Sequence, residues 1–341
     1  MTDKTAKFIH KTAEDAAKEK AQTAQKQGEG GRLALQKHRW VPVKLVDRRA
    51  ISKDTRTYTF EMPPGKPDLG LGTCQHIQVG FHLQDKMIVR SYTPTRPILP
   101  ESPPGSPERT ASPSKEGKGT QRDTSQRPPT PPESPSNGKR PATFDLTVKT
   151  YFPTEAQPGG ALSNLLDCMP LGEEVEIRGP TGDIVYLGNS DFLISHASPS
   201  EPPRKLHFPR VSLVLGGSGI TPGYALMARI VGQQKGERED KDDTEVRAVD
   251  ANKTEEDILL REELDGFEKE TDGRVKVVHV LSRPGEDWKG EKGRVDADLL
   301  KKVLFPPEEG SAVFLCGPPG LIQKAALPAL KGTFSCRFLP R

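Results

Sequence analysis

Cysteine is scarce in this 341-residue chain, and aromatic residues make up only 6% of it. Cys74, Cys168, Cys316 and Cys336 are far apart and show no paired spacing, which excludes a disulfide framework and a zinc ribbon and leads us to expect a reducing, cytoplasmic setting. Nowhere do about eighteen apolar residues follow one another, so no transmembrane segment is expected, and the first thirty or so residues lack the apolar centre of a signal peptide. Charge of one sign is not in excess either: Lys and Arg number 50 against 47 Asp and Glu, interspersed, so no basic stripe marks nucleic acid as a partner. The seven histidines form no HExxH pattern, and no C-x-x-C pair occurs, so no metal site is expected. G-x-S-x-G and the phosphate-binding P-loop are missing too, so serine hydrolysis and phosphoryl transfer lack their parts.

Proline and glycine are abundant, with 33 and 32 residues, and they divide the chain. Residues 1–37 are rich in Ala, Lys, Gln and Glu, with alanines at 13, 16, 17, 21 and 24 on one face of a possible helix; that stripe is too weakly apolar to dock, so a disordered or helical tail is expected. Residues 96–140 include "RPPTPPESPSNG", too polar and proline-rich to bury anything, and read as a disordered insert between strands. Residues 233–244, "QQKGEREDKDDT", read as a charged surface loop. Closure entropy grows only logarithmically with loop length, so neither interruption need unfold the domain around it.

Between these segments lie two textures. Residues 38–190 carry short β-branched and aromatic runs, "WVPVKLV", "RTYTFEM", "HIQVGF", "MIVRSYT", "FDLTVKTYF", "EVEIRG" and "DIVYLG", with one short helix, "ALSNLLDCM"; they predict six or seven strands of an antiparallel β-barrel. Residues 208–341 alternate strand and helix, as in "VSLVLGG" then "TPGYALMARIVGQQ" and "SAVFLCG" then "PGLIQKAALPAL", which predicts a parallel sheet covered on both faces. Such α/β sheets bind ligands beyond the carboxyl ends of their strands.

Three glycine-rich stretches carry the candidate chemistry. In "LVLGGSGITPGY" a strand ends in Gly216, Gly217 and Gly219, and Pro222 opens a helix where its missing N–H costs nothing. Glycine admits close approach of a ligand, and the helix start offers free amides to phosphate. Pro222 stands where a dinucleotide fingerprint needs its third glycine, so this is not the usual Rossmann sequence, and a merely tight turn stays open. "FLCGPPGLI" repeats the arrangement with Cys316, Gly317 and Pro318, where a buried small thiol at the strand end is the simpler reading. "PGGALSNLL" sets a glycine pair before a helix start, fit for an anion or for simple capping. Asp54 and Asp68 read as solvated surface residues.

Taken in order, "RSYT", "GGALS", "GGSGITP", "ANKTEEDILLREELD", "VLSRPGEDWKGEKGRV" and "LCGPPGLIQKAALPAL" resemble the NADH-cytochrome b5 reductases and the flavin module of nitrate reductase, within the ferredoxin-reductase-like FAD/NAD oxidoreductases. The likeness runs from about residue 38 to about 331, the two insertions aside. It implies an FAD-binding barrel followed by an NAD-binding α/β domain, and hydride transfer from NADH to FAD with electrons leaving singly to a haem protein such as cytochrome b5. By the same resemblance Arg90 pairs with the flavin phosphate, Ser91 lies on the same cofactor strand, Tyr92 packs on the isoalloxazine ring and Thr93 bonds near its reactive edge. His76 supports the flavin side, and Gly160, Ala161, Leu162 and Ser163 face the pyrophosphate. Lys149, Thr221, Pro222 and the turn from Gly217 to Gly219 face the nicotinamide cofactor, with Cys316, Gly317 and Pro318 beside the nicotinamide; Thr93, Lys149, Thr221 and Cys316 are the expected catalytic set.

A carboxylate at the adenosine ribose favours NADH over NADPH. Sheet geometry points to Asp250 and the resemblance to Asp257, which is preferred. The family usually has glycine where Cys74 stands and a methionine-like residue where Leu162 stands, and the end, "LKGTFSCRFLPR", diverges from relatives. No "HPGG" haem-binding stretch occurs, so the acceptor is expected to be a separate molecule or a missing part, and peripheral membrane association through a partner stays open. The alternative is a flavoprotein-like scaffold without turnover, with Ser-Pro and Thr-Pro steps of the insert, such as Ser102 and Thr130, offered to a kinase or a proline-reading partner.

Overall fold

The computed structural model describes residues 32–83, 85–97, 141–155, 158–195, 201–232 and 242–333. The expected tail to residue 31, nearly all of the insert with its kinase or proline-reading partner, most of the charged loop and the divergent C-terminal end lie outside the described residues.

Six strands form the first sheet: β1 (Val41–Ala50), β2 (Thr55–Glu61), β3 (His76–Leu83), β4 (Lys86–Tyr92), β5 (Thr143–Lys149) and β6 (Glu174–Thr181), in the order β4-β3-β6-β1-β2-β5. All neighbours are antiparallel. Alternation of the apolar residues sets the core: Phe144, Leu146 and Val148 of β5 turn inward with Tyr58 and Phe60 of β2, and the rings of Phe60 and Phe144 stack 5.4 Å apart. Beyond β4, the amide of Thr95 donates to the carbonyl of Asp145 and the amide of Asp145 to that of Arg96, both at 2.9 Å, so the chain crosses to β5 and closes the sheet into a barrel. Helix α1 (Ala161–Cys168) seals it by burying Leu162 and Leu166.

Two expectations need correction. Ala34 and Leu35 are buried in the barrel core, so the domain starts ahead of residue 38; three apolar residues, Leu33 to Leu35, in a polar run are too few to show a period. "DIVYLG" is a strand but not a barrel strand: β7 (Ile184–Gly188) pairs with β8 (Asp191–Ile194), and that with β9 (Arg204–His207), in a separate three-stranded sheet. Its Tyr186 and Phe192 pack into the core of the second domain, where the Tyr186 hydroxyl bonds Asp242 and Thr244. Alternation reveals a strand but does not say which sheet it joins.

The second domain is a parallel sheet of five strands, β10 (Arg210–Gly216), β11 (Glu245–Asn252), β12 (Val275–Leu281), β13 (Glu291–Lys292) and β14 (Ser311–Cys316), in the order β13-β12-β11-β10-β14. Leu213 and Leu215 face one core with α2 (Ile220–Gly232) and α3 (Arg261–Glu270). Val214, Val249 and Val280 face the other, with α4 (Ala297–Val303) and α5, which runs from Pro319–Leu321 through a π-turn, Ile322–Ala326, to Leu327–Thr333. Burial of both faces explains why these strands read as continuous apolar runs. The chain leaves β10 for β11 on one side and returns to its other side only with β14, so the strand order reverses between β10 and β14, where an open α/β sheet offers its binding crevice.

One buried ionisable pair sits in this sheet. Asp250 accepts from Nδ1 of His279 on the adjacent strand and from Asn252, both at 2.9 Å, while Asp265 of α3 stands 3.4 Å from the other ring nitrogen. Burial pushes the Asp250 carboxyl up. Burial also opposes charging of His279, but the bond to Asp250 and its negative charge outweigh that and raise the imidazole above its ordinary value of 6.5. A raised folded-state value stabilises the fold fully below the unfolded value, and the contribution is lost as pH climbs through the folded one. The upward shift of Asp250 has the same sign. The melting temperature is therefore expected to fall as pH rises above about 6.5, with a shallower slope in His279→Gln. A rise over that range in calorimetry would contradict the pair.

Candidate active site

At the reversal point the two domains enclose a crevice of about 910 Å³. A cavity of this size suits a cofactor of drug size or larger. On the barrel side it is lined by Arg90, Ser91, Tyr92 and Thr93 at the end of β4, by Lys149 at the end of β5, and by His76 at the start of β3. Antiparallel registry of β3 and β4 sets Arg90 opposite Val79 and Tyr92 opposite Ile77. The Arg90 side chain is exposed, and its Nη1 donates to the carbonyl of Val89 at 2.7 Å, which leaves most of its five-donor fork free for an anion. Burial drives the Tyr92 phenol above its ordinary value, so it presents a neutral ring and hydroxyl. Burial likewise lowers His76, which is a neutral imidazole packed against Gly182.

The start of α1 forms the rim. Gly159 has φ +80°, and a Cβ there would lie 2.5 Å from the Tyr151 carbonyl, so only glycine lets the chain double back at this point. Gly160, Leu162 and Ser163 line the crevice. No side chain caps the helix, which leaves its first amides open to an anion. Ala161 sits beside the crevice without lining it, and the Ser163 hydroxyl is already engaged, donating to the Gly160 carbonyl at 3.0 Å and accepting from the Tyr151 amide at 3.2 Å.

Across the crevice, Gly219, Thr221 and Pro222 at the start of α2 face Cys316 and Gly317 after β14. The turns touch through backbone: a Cβ at Gly219 would lie 2.4 Å from the Cys316 carbonyl oxygen. Gly217, at φ +52°, and Pro318 shape these turns but do not line the space. The Thr221 hydroxyl donates to the Ser218 carbonyl at 3.1 Å. Burial pushes the Cys316 thiol up, so it is no thiolate nucleophile at neutral pH.

Lys149 links the two walls. Its Nζ lies 2.7 Å from Asp54, in the turn between β1 and β2, and 2.8 Å from Asp257, in the 3₁₀ turn Glu255–Asp257 after β11. Burial opposes the charge of both Lys149 and Asp257, yet their mutual bond and its companions overcome it, raising the lysine and lowering the carboxyl. Asp257 also accepts from the amide and hydroxyl of Thr254, both at 3.0 Å. It stands behind Lys149 and does not itself line the crevice. Asp250 is fully buried and bonded to His279 and Asn252, whereas Asp257 bonds the ammonium of the lining residue Lys149.

Three contributors escaped sequence reasoning. Asp54 looked like a solvated turn residue, and nothing local reveals its bond to Lys149. Tyr151 lines the crevice two residues beyond Lys149, on the extended segment that Gly159 folds back upon. Cys74 lines it too, in the left-handed region at φ 76°, with burial pushing its thiol up to about 12. The family's habit of glycine at that position was the available signal.

A barrel whose edge strand carries an exposed guanidinium, set against a parallel sheet with two glycine turns, has the architecture of a flavin- and pyridine-nucleotide-binding oxidoreductase. Residues 42–101 and 119–186 match the oxidoreductase FAD-binding domain, and residues 213–326 the oxidoreductase NAD-binding domain. NADH-cytochrome b5 reductase 2 of Gallus gallus is 32% identical over 292 residues, covering 85% of this chain and 81% of that protein. Nitrate reductase [NADPH] of Aspergillus niger is 33% identical over 293 residues, covering 85% of this chain but only 28% of that protein. The crystal structure of the cytochrome b5 reductase domain of Ulva prolifera nitrate reductase superposes with a TM-score of 0.68 at 27% identity, covering 88% of this chain and 95% of that one. The chain belongs to the family of the NADH-cytochrome b5 reductases and nitrate reductase flavin modules.

The residues present fit both cofactors. A guanidinium with most of its donors unused and an uncapped helix start suit the FAD phosphates, a neutral phenol ring suits a flavin face, and a turn whose Gly219 has no room for a Cβ suits a pyrophosphate.

Proposed function

We propose that the chain is an NADH-dependent flavoprotein reductase that delivers electrons to a separate haem protein of cytochrome b5 type. The observation that carries this reading is that the residues expected to hold FAD and those expected to hold the dinucleotide line one crevice, with Tyr92 and Thr93 on one wall and Gly219, Thr221 and Cys316 on the other. Bound FAD supplies the ability to accept a hydride and release electrons one at a time.

The chain's own residues bind, orient and exclude. Arg90 and the first amides of α1 anchor phosphate; Tyr92 and Thr93 orient the ring system; His76, neutral and packed on Gly182, backs that wall. Gly219 admits the dinucleotide backbone with Gly217 shaping its turn, while Thr221, Pro222, Cys316 and Gly317 bound the nicotinamide pocket and Pro318 stiffens the turn behind them. No side-chain base is required, which agrees with Cys316 and Tyr92 holding their protons. The haem acceptor follows from the names of the relatives; among the described residues no helix is long and apolar enough to cross a membrane, and no group of three or more His, Cys, Asp and Glu could hold a metal. The scaffold alternative rests on the insert and the C-terminal end, outside the described residues, and no observed feature favours it.

Anaerobic titration tests the reading. The purified protein is expected to be yellow and to lose its visible flavin absorbance with about one equivalent of NADH, and cytochrome b5 is expected to be reduced in turn. A colourless preparation that takes up no added FAD would sink the proposal.

A further inference from the structure

The relatives whose names specify NADH and NADPH are almost equally similar to this chain, at 32% and 33% identity, so similarity alone does not settle how the dinucleotide is chosen. In parallel dinucleotide-binding sheets that choice is made by an acidic group after the second strand, which bonds the ribose 2′-hydroxyl and repels a 2′-phosphate. Here the second strand is β11, and Asp257 follows it beside the crevice.

An ammonium 2.8 Å away, however, cancels much of that repulsion, because a bonded lysine and carboxylate present almost no net charge to a phosphate. Asp54 alters the balance: it holds the same ammonium at 2.7 Å, so the three groups together carry one negative charge. The flanking charges do not change this, since Lys53 pairs with Glu256 at 2.9 Å and Arg261 with Glu255. Asp54 is also fixed for the task. Its backbone carbonyl accepts from the amide of Thr150 at 2.6 Å, and its carboxylate accepts from the hydroxyls of Ser52 at 3.2 Å and Thr55 at 3.3 Å.

We infer that Asp54, on the flavin-binding domain, is a specificity-determining residue for the dinucleotide: by holding Lys149 it keeps the ribose pocket net negative, so that Asp257 still rejects a 2′-phosphate. The inference rests on the reductase reading and on Asp257 as the ribose carboxylate. Losing the Asp54 charge would act twice, since it removes one repulsive charge and frees Lys149 to pair with the phosphate.

Dissociation constants of NAD+ and NADP+, measured by calorimetry on the FAD-loaded protein, test it without turnover. Asp54→Asn keeps the acceptor oxygen that Ser52 and Thr55 use, and is expected to shift the affinity ratio toward NADP+ by about tenfold at low salt, an effect that shrinks in about 0.5 M salt. Asp54→Glu is expected to keep the wild-type ratio, and Asp54→Ser is a second neutral replacement should Asp54→Asn fold poorly. A ratio within about twofold of wild type in the neutral variants, with NAD+ still bound, overturns the role of Asp54 alone. Failure of the wild-type protein to bind either dinucleotide overturns the reductase reading along with it.

Discussion

Gly219→Ala is expected to lower the melting temperature by about 5 to 10 °C and to weaken NAD+ binding by at least about tenfold. The added methyl would lie 2.4 Å from the carbonyl oxygen of Cys316, 2.6 Å from its carbon and 2.7 Å from the Cα of Gly317. These are backbone atoms at the end of β14, and they cannot swing aside as a flexible side chain would. Relief requires the turn after β10 and the turn after β14 to part, and those turns bound the α/β-domain side of the crevice, where the dinucleotide is proposed to bind. Overpacking of this kind costs about 1 to 3 kcal/mol even where side chains can adjust. Gly217→Ala separates steric from conformational causes. That glycine has φ +52°, and a methyl added there would meet nothing within 4 Å, so the substitution costs only the left-handed strain, about 1 kcal/mol, and leaves the two turns in contact. Differential scanning calorimetry and NAD+ titration of both variants check this. Equal effects from the two would show that the turns are not held together at Gly219.

What the sequence discloses follows from the range over which each signal acts. Alternation in "FDLTVK" and glycine at strand ends are local, so the barrel strands, the parallel sheet and both glycine turns are legible one segment at a time. Six stretches in fixed order then disclose the family, and with it the expectation that Arg90, Tyr92 and Lys149 serve the cofactors. Partnership is not local. Lys149 meets Asp54 and Asp257 only because β5 ends beside the β1–β2 turn and the sheets close on one another, so an aspartate in a short polar turn looks like any solvated turn residue. "DIVYLG" has the alternation of a barrel strand, but the burial of Tyr186 and Phe192 under the second sheet decides its place. Asp250 lies where the sheet rule expects a ribose carboxylate, and its bond to His279 removes it from that role.

The cofactor cradle draws on both domains, and its charges are shared across them. Asp257 belongs to the α/β domain, but its electrostatic effect on a ligand depends on Lys149 and Asp54 of the barrel. With the specificity role inferred for Asp54, a change in how the domains meet is expected to alter cofactor choice. Lys53 and Glu256, paired 2.9 Å apart, cross the same seam, but both are largely exposed, and a pair of that kind adds little to holding it. The half-buried Lys149 cluster is the stronger tie.

Arg90→Ala is expected to weaken FAD binding by about thirty- to hundredfold, so that the purified variant loses most of its yellow colour on desalting. The guanidinium lines the crevice, is exposed, and makes one bond of 2.7 Å to the carbonyl of the residue before it. Removing it takes little from the fold, so the melting temperature of the flavin-free protein should stay within about 1 °C of wild type. On the proposed role, what is lost is a planar, permanently charged fork that would pair with phosphate, and hydrogen bonds to charged groups contribute about 1.5 to 3 kcal/mol. Arg90→Lys separates charge from geometry: it keeps the cation but not the bidentate fork, so its affinity should fall between the two. Flavin absorbance per mole of protein, with a fluorescence-quenching titration of FAD into the stripped variants, measures all three. Wild-type FAD affinity in Arg90→Ala would move the phosphate anchor to the first amides of α1 alone, and a lower melting temperature of the stripped variant would make Arg90 a structural residue first.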